Sequence, residues 1–181
     1  MVFCIFSGVM PMDDRTIIRR ERPGDEPGIR TVNLAAFPTD AEARLVDCLR
    51  AAGSLTVSMV ADLDGRIVGH AAFSPVTAAN GALGIGLGPV AVLESHRRHG
   101  LAAQIIRAGL ESSRAAGFTW AVVLGGPAYY GRFGFAVASR FGLSDTYDAA
   151  PYFQAMSLFP DGLPIGAGVV RYHAAFADCG C

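Results

Sequence analysis

The sequence predicts an α+β domain built on a central mixed sheet. Leu55 to Asp62 and Arg66 to Pro75 are strand-like runs that flank Asp64-Gly65, the strongest hairpin signal in the chain. Further on, an apolar strand-like run leads into a helical repeat and then a second apolar run, which is the order of a strand–helix–strand unit. The 181 residues, 51% of them hydrophobic, suit one domain with a full core.

The N-terminal part begins with a short strand and continues through two helices. Thr16 to Arg20 carries adjacent β-branched residues, which are typical of a strand. The apolar spacing from Ile29 to Phe37 predicts a helix that starts at Asp25 or Glu26 and ends before the next proline. The same period recurs from Asp40 to Ala52 and predicts a second helix, which the following glycine ends.

The second half carries the strand–helix–strand unit. Ile85 to Leu93 predicts a strand that bulges or loses a partner at Gly88-Pro89, because proline donates no hydrogen bond to a ladder. His99 to Ala116 has the broad apolar stripe of a helix packed on a sheet. Phe118 to Leu124 follows as a buried strand, and Pro127 to Arg132 suits a short helix. Further strand-like segments are Phe141 to Leu143, Phe153 to Leu158 and Val169 to Tyr172.

Composition and charge argue against several classes of partner. The formal net charge of -1 gives no general attraction to nucleic acid or to an anionic membrane, and no run is long and apolar enough for a membrane span. No Cys-x-x-Cys pair or His/Cys cluster occurs, so we expect no metal. We interpret the four cysteines as reduced thiols, which favours a cytoplasmic location; they are Cys4, Cys48, Cys179 and Cys181.

The first residues are set apart from the predicted domain. Met1 to Met10 is apolar but short, follows no basic residue and has no clear cleavage site, so it is a poor signal peptide. The natural start stays open between Met1, Met10 and Met12. We predict a disordered or extended segment over residues 1–13 and a single domain over residues 14–178.

The turn that opens the clearest helix has the features of a phosphate-binding site. It reads Arg97-Arg98-His99-Gly100-Leu101-Ala102. Gly100 lets the backbone approach a ligand closely, Ala102 keeps the helix surface clear, and the two arginines supply charge. The amides at a helix N-terminus lack partners within the helix and bind anions. The alternative is a solvated basic turn, although basic residues there oppose the helix dipole.

Two stretches resemble the signatures of the GNAT superfamily, the acyl-CoA-dependent N-acetyltransferases. The first joins Gly88-Pro89-Val90-Ala91-Val92 to the phosphate-binding turn and is similar to motif A of that superfamily. The second is Gly126-Pro127-Ala128-Tyr129-Tyr130-Gly131-Arg132-Phe133-Gly134-Phe135, most similar to the YhbS-like subgroup. The resemblance covers about Thr16 to Leu158. It implies a GNAT-like fold whose mostly antiparallel sheet is flanked by helices and splayed between two central strands.

The resemblance also implies a donor and the residues that bind it. Acetyl-CoA would be the co-substrate, and the acceptor would be a primary amine of a small molecule or a protein. The backbone from Arg98 to Ala103 would hold the pyrophosphate, while Val90 and Val92 would offer backbone groups to the pantetheine arm. The implied cofactor-binding residues are Val90, Ala91, Val92, Arg97, Arg98, His99, Gly100, Leu101, Ala102 and Ala103.

The resemblance assigns the general acid to Tyr130. A phenol with its ordinary pKa of about 10 stays protonated at neutral pH and can protonate the departing thiolate of CoA. Tyr129 is the competing residue. The general base that takes the proton of the amine is not assigned. A chain of water molecules is one alternative, and the other candidates have a suitable residue type: Glu94, His96, His70 and Glu26. Gly126 stands where the subgroup often has a polar residue such as Asp, which removes one candidate side chain.

Two other functions compete with acetyl transfer. Gly84-x-Gly86-x-Gly88 is similar to a dinucleotide fingerprint, but its third glycine is one residue early and no helix opens there. A non-catalytic acyl-CoA-binding module, regulatory or interacting, is the stronger alternative, because a fold does not establish activity. Tyr130 favours the enzyme. The acceptor stays open, as does a homodimer formed through the strands after Phe141.

Overall fold

The computed structural model describes residues 15–178. The predicted N-terminal segment over residues 1–13, the domain boundary after it, and Cys4, Cys179 and Cys181 lie outside these residues. The described elements are β1 (Thr16–Arg20), α1 (Glu26–Ala36), α2 (Ala41–Ala51), β2 (Val57–Leu63), β3 (Arg66–Ala78), β4 (Leu83–Val92), α3 (Leu101–Ala115), β5 (Trp120–Leu124), α4 (Pro127–Tyr130), β6 (Ala136–Val137), β7 (Leu143–Ser144), β8 (Phe153–Ser157), β9 (Gly168–Arg171) and α5 (Ala175–Asp178).

One mixed sheet organises these elements. Its hydrogen-bonded order is β1-β2-β3-β4-β5-β8-β6, while β9 pairs with the far end of β3 and β7 pairs with β9. The β4–β5 and β7–β9 pairs are parallel and the other described pairs are antiparallel. The predicted mixed, mostly antiparallel sheet is therefore confirmed, as is the hairpin that joins β2 to β3 at Asp64-Gly65.

Helices cover both faces of the sheet. On one face α3 buries Leu101, Ile105 and Ile106 against alternate residues of β2, β3 and β4. On the other face α1 and α2 pack against the same strands through Ile29 and Val46 among others. Because each fully buried aliphatic side chain contributes about 1.5–3 kcal/mol, this packing holds the three central strands firmly in register. Within residues 15–178, none of the helices has the length and apolar character needed to cross a membrane.

The parallel strands β4 and β5 separate halfway along β4. Their pairing is confined to Ile85–Leu87 opposite Ala121–Val123. At that point Gly88 and Pro89 lie opposite the single residue Ala72 of β3, since the β3–β4 register passes from Phe73↔Leu87 to Ala71↔Val90. This extra residue is the predicted bulge. Beyond it β4 stays paired with β3 but has left β5, so the predicted splay between the two central strands is confirmed.

Most helices begin and end close to where the sequence predicts. One differs because residues before it adopt positive φ angles. The helix predicted from His99 begins two residues later at Leu101, because Arg98 and Gly100 adopt positive φ angles of 66° and 79°. The short helix α5 and a 3-10 turn at Ala138–Phe141 were not predicted, since neither carries a full helical period. The segment before β7 is therefore a turn where the sequence predicted a strand from Phe141.

Candidate active site

The turn before α3 exposes a group of backbone amides. Gly100 is the residue before the helix, no side chain caps it, and its carbonyl accepts the first helical bond from the Gln104 amide at 3.1 Å. The amides of Leu101 to Ala103 therefore have no partner within the helix. Arg98 is held at a φ of 66°, a left-handed conformation that costs a non-glycine residue about 1–2 kcal/mol. Such a turn can bind an anion.

A cavity of about 720 Å³ opens at this end of α3. Its volume lies within the range of small-molecule sites. Eight of the ten predicted cofactor-binding residues line it, and they are Val90, Val92, Arg97, Arg98, Gly100, Leu101, Ala102 and Ala103. His99 and Ala91 are not among the lining residues. Ala91 is 2% exposed, pairs with His70 of β3, and packs in the core beneath α1.

The backbone of β4 explains why Val90 and Val92 face the cavity and Ala91 does not. The Leu93 amide donates to the Val68 carbonyl of β3 at 3.0 Å. Successive residues of a strand direct their backbone groups to opposite edges, so residues two apart share an edge and Ala91, like Leu93, bonds toward β3. Val90 and Val92 direct theirs toward the gap that β5 has left. The guanidinium Nε of Arg97 donates to the Val92 carbonyl at 3.1 Å and ties the turn to this strand.

Tyr130 and Tyr129 occupy different positions, although both line the large cavity. Tyr129 is 36% exposed, and the Arg132 guanidinium lies 3.9 Å from the centre of its ring. Tyr130 is half-buried and packs against Gly125, where a Cβ atom would come within 2.2 Å of its Cε2. Burial raises the pKa of Tyr130 to about 12, and the neighbouring Tyr129 hydroxyl adds to the rise. The Tyr130 hydroxyl therefore stays protonated through the neutral range.

A second, smaller cavity of about 280 Å³ adjoins the first. Phe37, Val90 and Tyr130 line both, so the two cavities meet where β4 and β5 separate. The remaining lining comes from distant parts of the chain and includes Leu45, Glu42, Tyr147, Tyr172 and Phe176. Sequence reasoning missed these residues, since none lies in a recognisable motif. The packing of α2 against α5 and the ring contact between Tyr147 and Tyr172 bring their segments together.

The four base candidates prove to be widely dispersed. His70 is fully buried between Asn33 and Ser58, and burial foremost lowers its pKa to about 3. Glu26 accepts a hydrogen bond from the Gly24 amide at 2.7 Å, outside both cavities. Glu94 is exposed and lines neither cavity. Of the four, His96 alone lines the large cavity, where its Nδ1 lies 2.7 Å from Ser95 Oγ.

Metal ligands are not grouped in the described part of the chain. No cluster of three or more His, Cys, Asp or Glu residues among residues 15–178 could hold a metal ion. The polar groups of the two cavities are backbone amides, guanidinium groups, the His96 imidazole, phenols and one carboxylate, Glu42. Such groups bind anions and transfer or share protons.

The sequence of this chain is similar to a known protein family. The model of the acetyltransferase (GNAT) family matches residues 23–135. The chain is 41% identical over 163 residues to the uncharacterized N-acetyltransferase YhbS of Escherichia coli (strain K12), and the match covers 88% of this chain and 98% of the relative.

Two solved structures are also similar. One is the GNAT family N-acetyltransferase (YhbS) from Escherichia coli in complex with CoA, with a TM-score of 0.86 and 40% identity over 90% of this chain and 92% of that one. The other is a GNAT family acetyltransferase from Brucella melitensis in complex with acetyl-CoA, with a TM-score of 0.75 and 41% identity over 89% and 97% of the two chains.

Fold and similarity together define the class of the protein, which is an N-acetyltransferase. The chain belongs to the acetyltransferase (GNAT) family, and its resemblance to the YhbS-like subgroup is confirmed.

Proposed function

We propose that the protein transfers an acetyl group from acetyl-CoA directly to a primary amine, with Tyr130 assisting departure of the thiol. The observation that carries this proposal is the position of Tyr130, which lines both cavities at the point where β4 and β5 separate. A donor in the large cavity and an amine in the small one would meet beside its hydroxyl. Holding two reactants in line is itself worth about 7–11 kcal/mol of the barrier.

The large cavity fits an acyl-CoA donor. The uncapped amides of Leu101 to Ala103 and the charges of Arg97 and Arg98 suit a pyrophosphate. Gly100 presents no Cβ toward the ligand side of the turn, and nothing lies within 4 Å of where one would stand. The relatives crystallised with CoA and acetyl-CoA support the same choice of donor.

Val90 and Val92 would hold the pantetheine arm through the backbone groups that face the strand gap. An amide of this exposed edge is also placed to donate to the thioester carbonyl oxygen as negative charge develops on it. Such preorganised donors are worth about 3–4 kcal/mol each when the site excludes water.

Tyr130 would act chiefly as a hydrogen-bond donor to the leaving sulfur. Its pKa of about 12 keeps the proton on the phenol at every physiological pH. Complete proton transfer to a free thiolate would be uphill, because the ordinary pKa of a thiol is about 8.5. Donation to sulfur while the C–S bond breaks needs no such transfer, since the charge is then only developing. CoA leaves as the thiolate, and the proton that the attacking amine gives up passes to water.

The donor assignment is tested by paired glycine substitutions. Gly100 and Gly117 both have positive φ angles and open space around the Cβ position, but only Gly100 lines the large cavity. Gly100→Leu should weaken acetyl-CoA binding about a hundredfold or more in calorimetry, the loss of two charge-assisted hydrogen bonds. Gly117→Leu carries the same backbone strain and should bind normally. Normal binding by both variants would refute the pyrophosphate assignment.

The role of Tyr130 is tested by comparing Tyr130→Phe with Tyr129→Phe. Release of CoA in the presence of a panel of primary amines should fall about a hundredfold in the first variant and little in the second. Acetyl-CoA affinity should be nearly unchanged in both. Unaltered turnover in Tyr130→Phe would remove it as the proton donor. Tight acetyl-CoA binding with no release on any amine would favour the non-catalytic module. The domain bounds, a cytoplasmic location and a homodimer stay predictions.

A further inference from the structure

Glu42 of α2 has no hydrogen-bond or ion-pair partner among the described residues. The other acidic residues in or next to this helix are paired. Asp40 lies 3.8 Å from Arg44, and Asp47 pairs with both Arg30 and Arg50. Glu42 Oε2 is buried and accepts no hydrogen bond. A carboxylate oxygen removed from water without a donor is costly, so this position favours a ligand that supplies one.

Tyr172 contributes a second unsatisfied polar group to the same cavity. Its hydroxyl is buried without a hydrogen-bond partner. Its ring lies against Phe176, at 4.8 Å between centroids, and against Tyr147 at 6.2 Å. The ring also fills the space above Gly86 of β4, where a Cβ atom would come within 2.7 Å of it. These contacts fix the phenol in place at the wall of the small cavity.

The rest of the small cavity is apolar and carries no positive charge. None of the described residues that line it is Arg or His, and aromatic rings form much of the wall: Phe37, Tyr130, Tyr147, Tyr172 and Phe176. Its volume of about 280 Å³ exceeds that of an engineered cavity of about 150 Å³ that holds a benzene molecule. The space therefore suits a ring-sized apolar body with a short arm.

We propose that the small cavity binds the acceptor and that this acceptor is a small primary amine carried on an apolar, ring-sized body, whose ammonium group pairs with Glu42. This assignment rests on the proposed function, because the cavity is an acceptor site only if acetyl-CoA occupies the larger one. The ammonium supplies the donors that Glu42 lacks when the acceptor binds, and the aromatic wall covers the body. The ammonium then gives up one proton to water, and the neutral amine attacks the thioester. Acidic amines would meet Glu42 without a compensating cation, and polyamines would bury a second charge against apolar walls.

The direct test is amine binding measured by calorimetry, with and without saturating CoA. 2-Phenylethylamine is the charged probe, and 2-phenylethanol is its uncharged counterpart of nearly the same shape. Wild-type protein should bind the amine at least about tenfold more tightly than the alcohol, since hydrogen bonds to charged groups are worth about 1.5–3 kcal/mol. Equal affinity for the two probes would overturn the inference without any variant.

Variants sharpen the test. Glu42→Gln keeps the size of the side chain and should weaken amine binding about tenfold while leaving alcohol binding unchanged, which also verifies that the cavity is intact. Glu111→Gln removes an exposed carboxylate outside both cavities and should leave binding of both probes at the wild-type level. Unchanged amine binding in Glu42→Gln would refute the role of Glu42.

The steady-state measurement separates this inference from the proposed function. CoA release should be faster with 2-phenylethylamine than with putrescine, glutamate or a lysine-containing peptide, and Glu42→Gln should raise KM for the aromatic amine with kcat little changed. Faster release with putrescine or the peptide would overturn the acceptor class while the acetyltransferase function stands. Failure of acetyl-CoA to bind would overturn the proposed function and the acceptor assignment with it.

Discussion

Acidification should destabilise this protein through a single buried histidine. His70 is 0% exposed in β3. Asn33 Nδ2 donates to the Ile29 carbonyl at 2.9 Å and lies 3.2 Å from His70 Nδ1, so Nδ1 accepts from this amide. The Nε2–H group then donates to Ser58 Oγ at 3.0 Å. A neutral imidazole satisfies both contacts. Protonation at Nδ1 would place its N–H group against the N–H group of the Asn33 amide, where no acceptor is present.

The magnitude follows from the pKa values of the folded and unfolded states. Burial foremost, with the charge of Arg50 adding to it, lowers the pKa of His70 from 6.5 to about 3. Only the unfolded chain takes up the proton between these values, so the associated stability is fully present above pH 6.5 and is lost as pH falls toward 3. The slope is about 1.4 kcal/mol per pH unit, which gives a loss of about 2 kcal/mol at pH 5.

Urea unfolding at pH 7.5 and pH 5.0 measures this loss. The free energy of unfolding of the wild type should fall about 2 kcal/mol further between the two pH values than that of His70→Gln, which has no group to titrate there. Paired carboxylates such as Asp25, whose pKa Arg19 lowers, contribute to both proteins and cancel in the difference. An equal fall in both would refute the reasoning. So would an NMR titration in which the His70 ring protonates above pH 5.

Three further predictions concern glycines, two of which another side chain approaches closely. Gly125→Ala would place a Cβ atom 2.2 Å from Cε2 of Tyr130, against an ordinary contact of 3.4 Å or more, so the ring must move by over 1 Å. Turnover should fall about a hundredfold with acetyl-CoA affinity retained; wild-type turnover would contradict this. Gly126→Ala has open space and should behave as wild type in the same assay. Gly109→Ala would bring a Cβ atom within 2.1 Å of Phe73 Cε2 and should cost about 1–3 kcal/mol in urea unfolding, which an unchanged midpoint would refute.

The parts of this fold that the sequence predicted are those fixed by local signals. The hairpin at Asp64-Gly65, the bulge at Gly88-Pro89 and the turn before α3 each depend on a few adjacent residues whose conformational demands are specific. Local signals also predicted that the strand ending at Leu93 leads into a helix whose N-terminus can bind an anion. The cofactor residues followed from a resemblance to a motif, which does not distinguish the two edges of a strand. The resemblance implies Ala91 for that reason, although the backbone groups of Ala91 bond toward β3 and those of Val90 and Val92 do not.

The small cavity could not be predicted because its walls are distant in sequence. Glu42 and Tyr172 belong to an N-terminal helix and to the segment after β9, and each taken alone has an ordinary interpretation: a solvated helix carboxylate and a packing tyrosine. Only packing shows that Glu42 lacks the partner that Asp40 and Asp47 possess. The absence of an ion pair cannot be predicted from the amino-acid sequence, so the proposed acceptor site could be found only from the three-dimensional structure.

The bulge at Gly88-Pro89 determines which residues of β4 face the strand gap. Continued without the extra residue, the register from Phe73↔Leu87 would place Pro89 opposite Ala71 and Ala91 opposite Gly69. Those are the positions whose backbone groups point away from β3. Pro89 has no N–H group, so the gap would lose a donor at its centre. With the bulge, Val90 and Val92 take these positions and both keep an N–H group; the Val90 carbonyl also faces the gap, while the Val92 carbonyl accepts from Arg97 Nε. The bulge therefore has two effects: β4 separates from β5 beyond it, and residues with N–H groups face the gap. Both effects depend on its position at Gly88-Pro89.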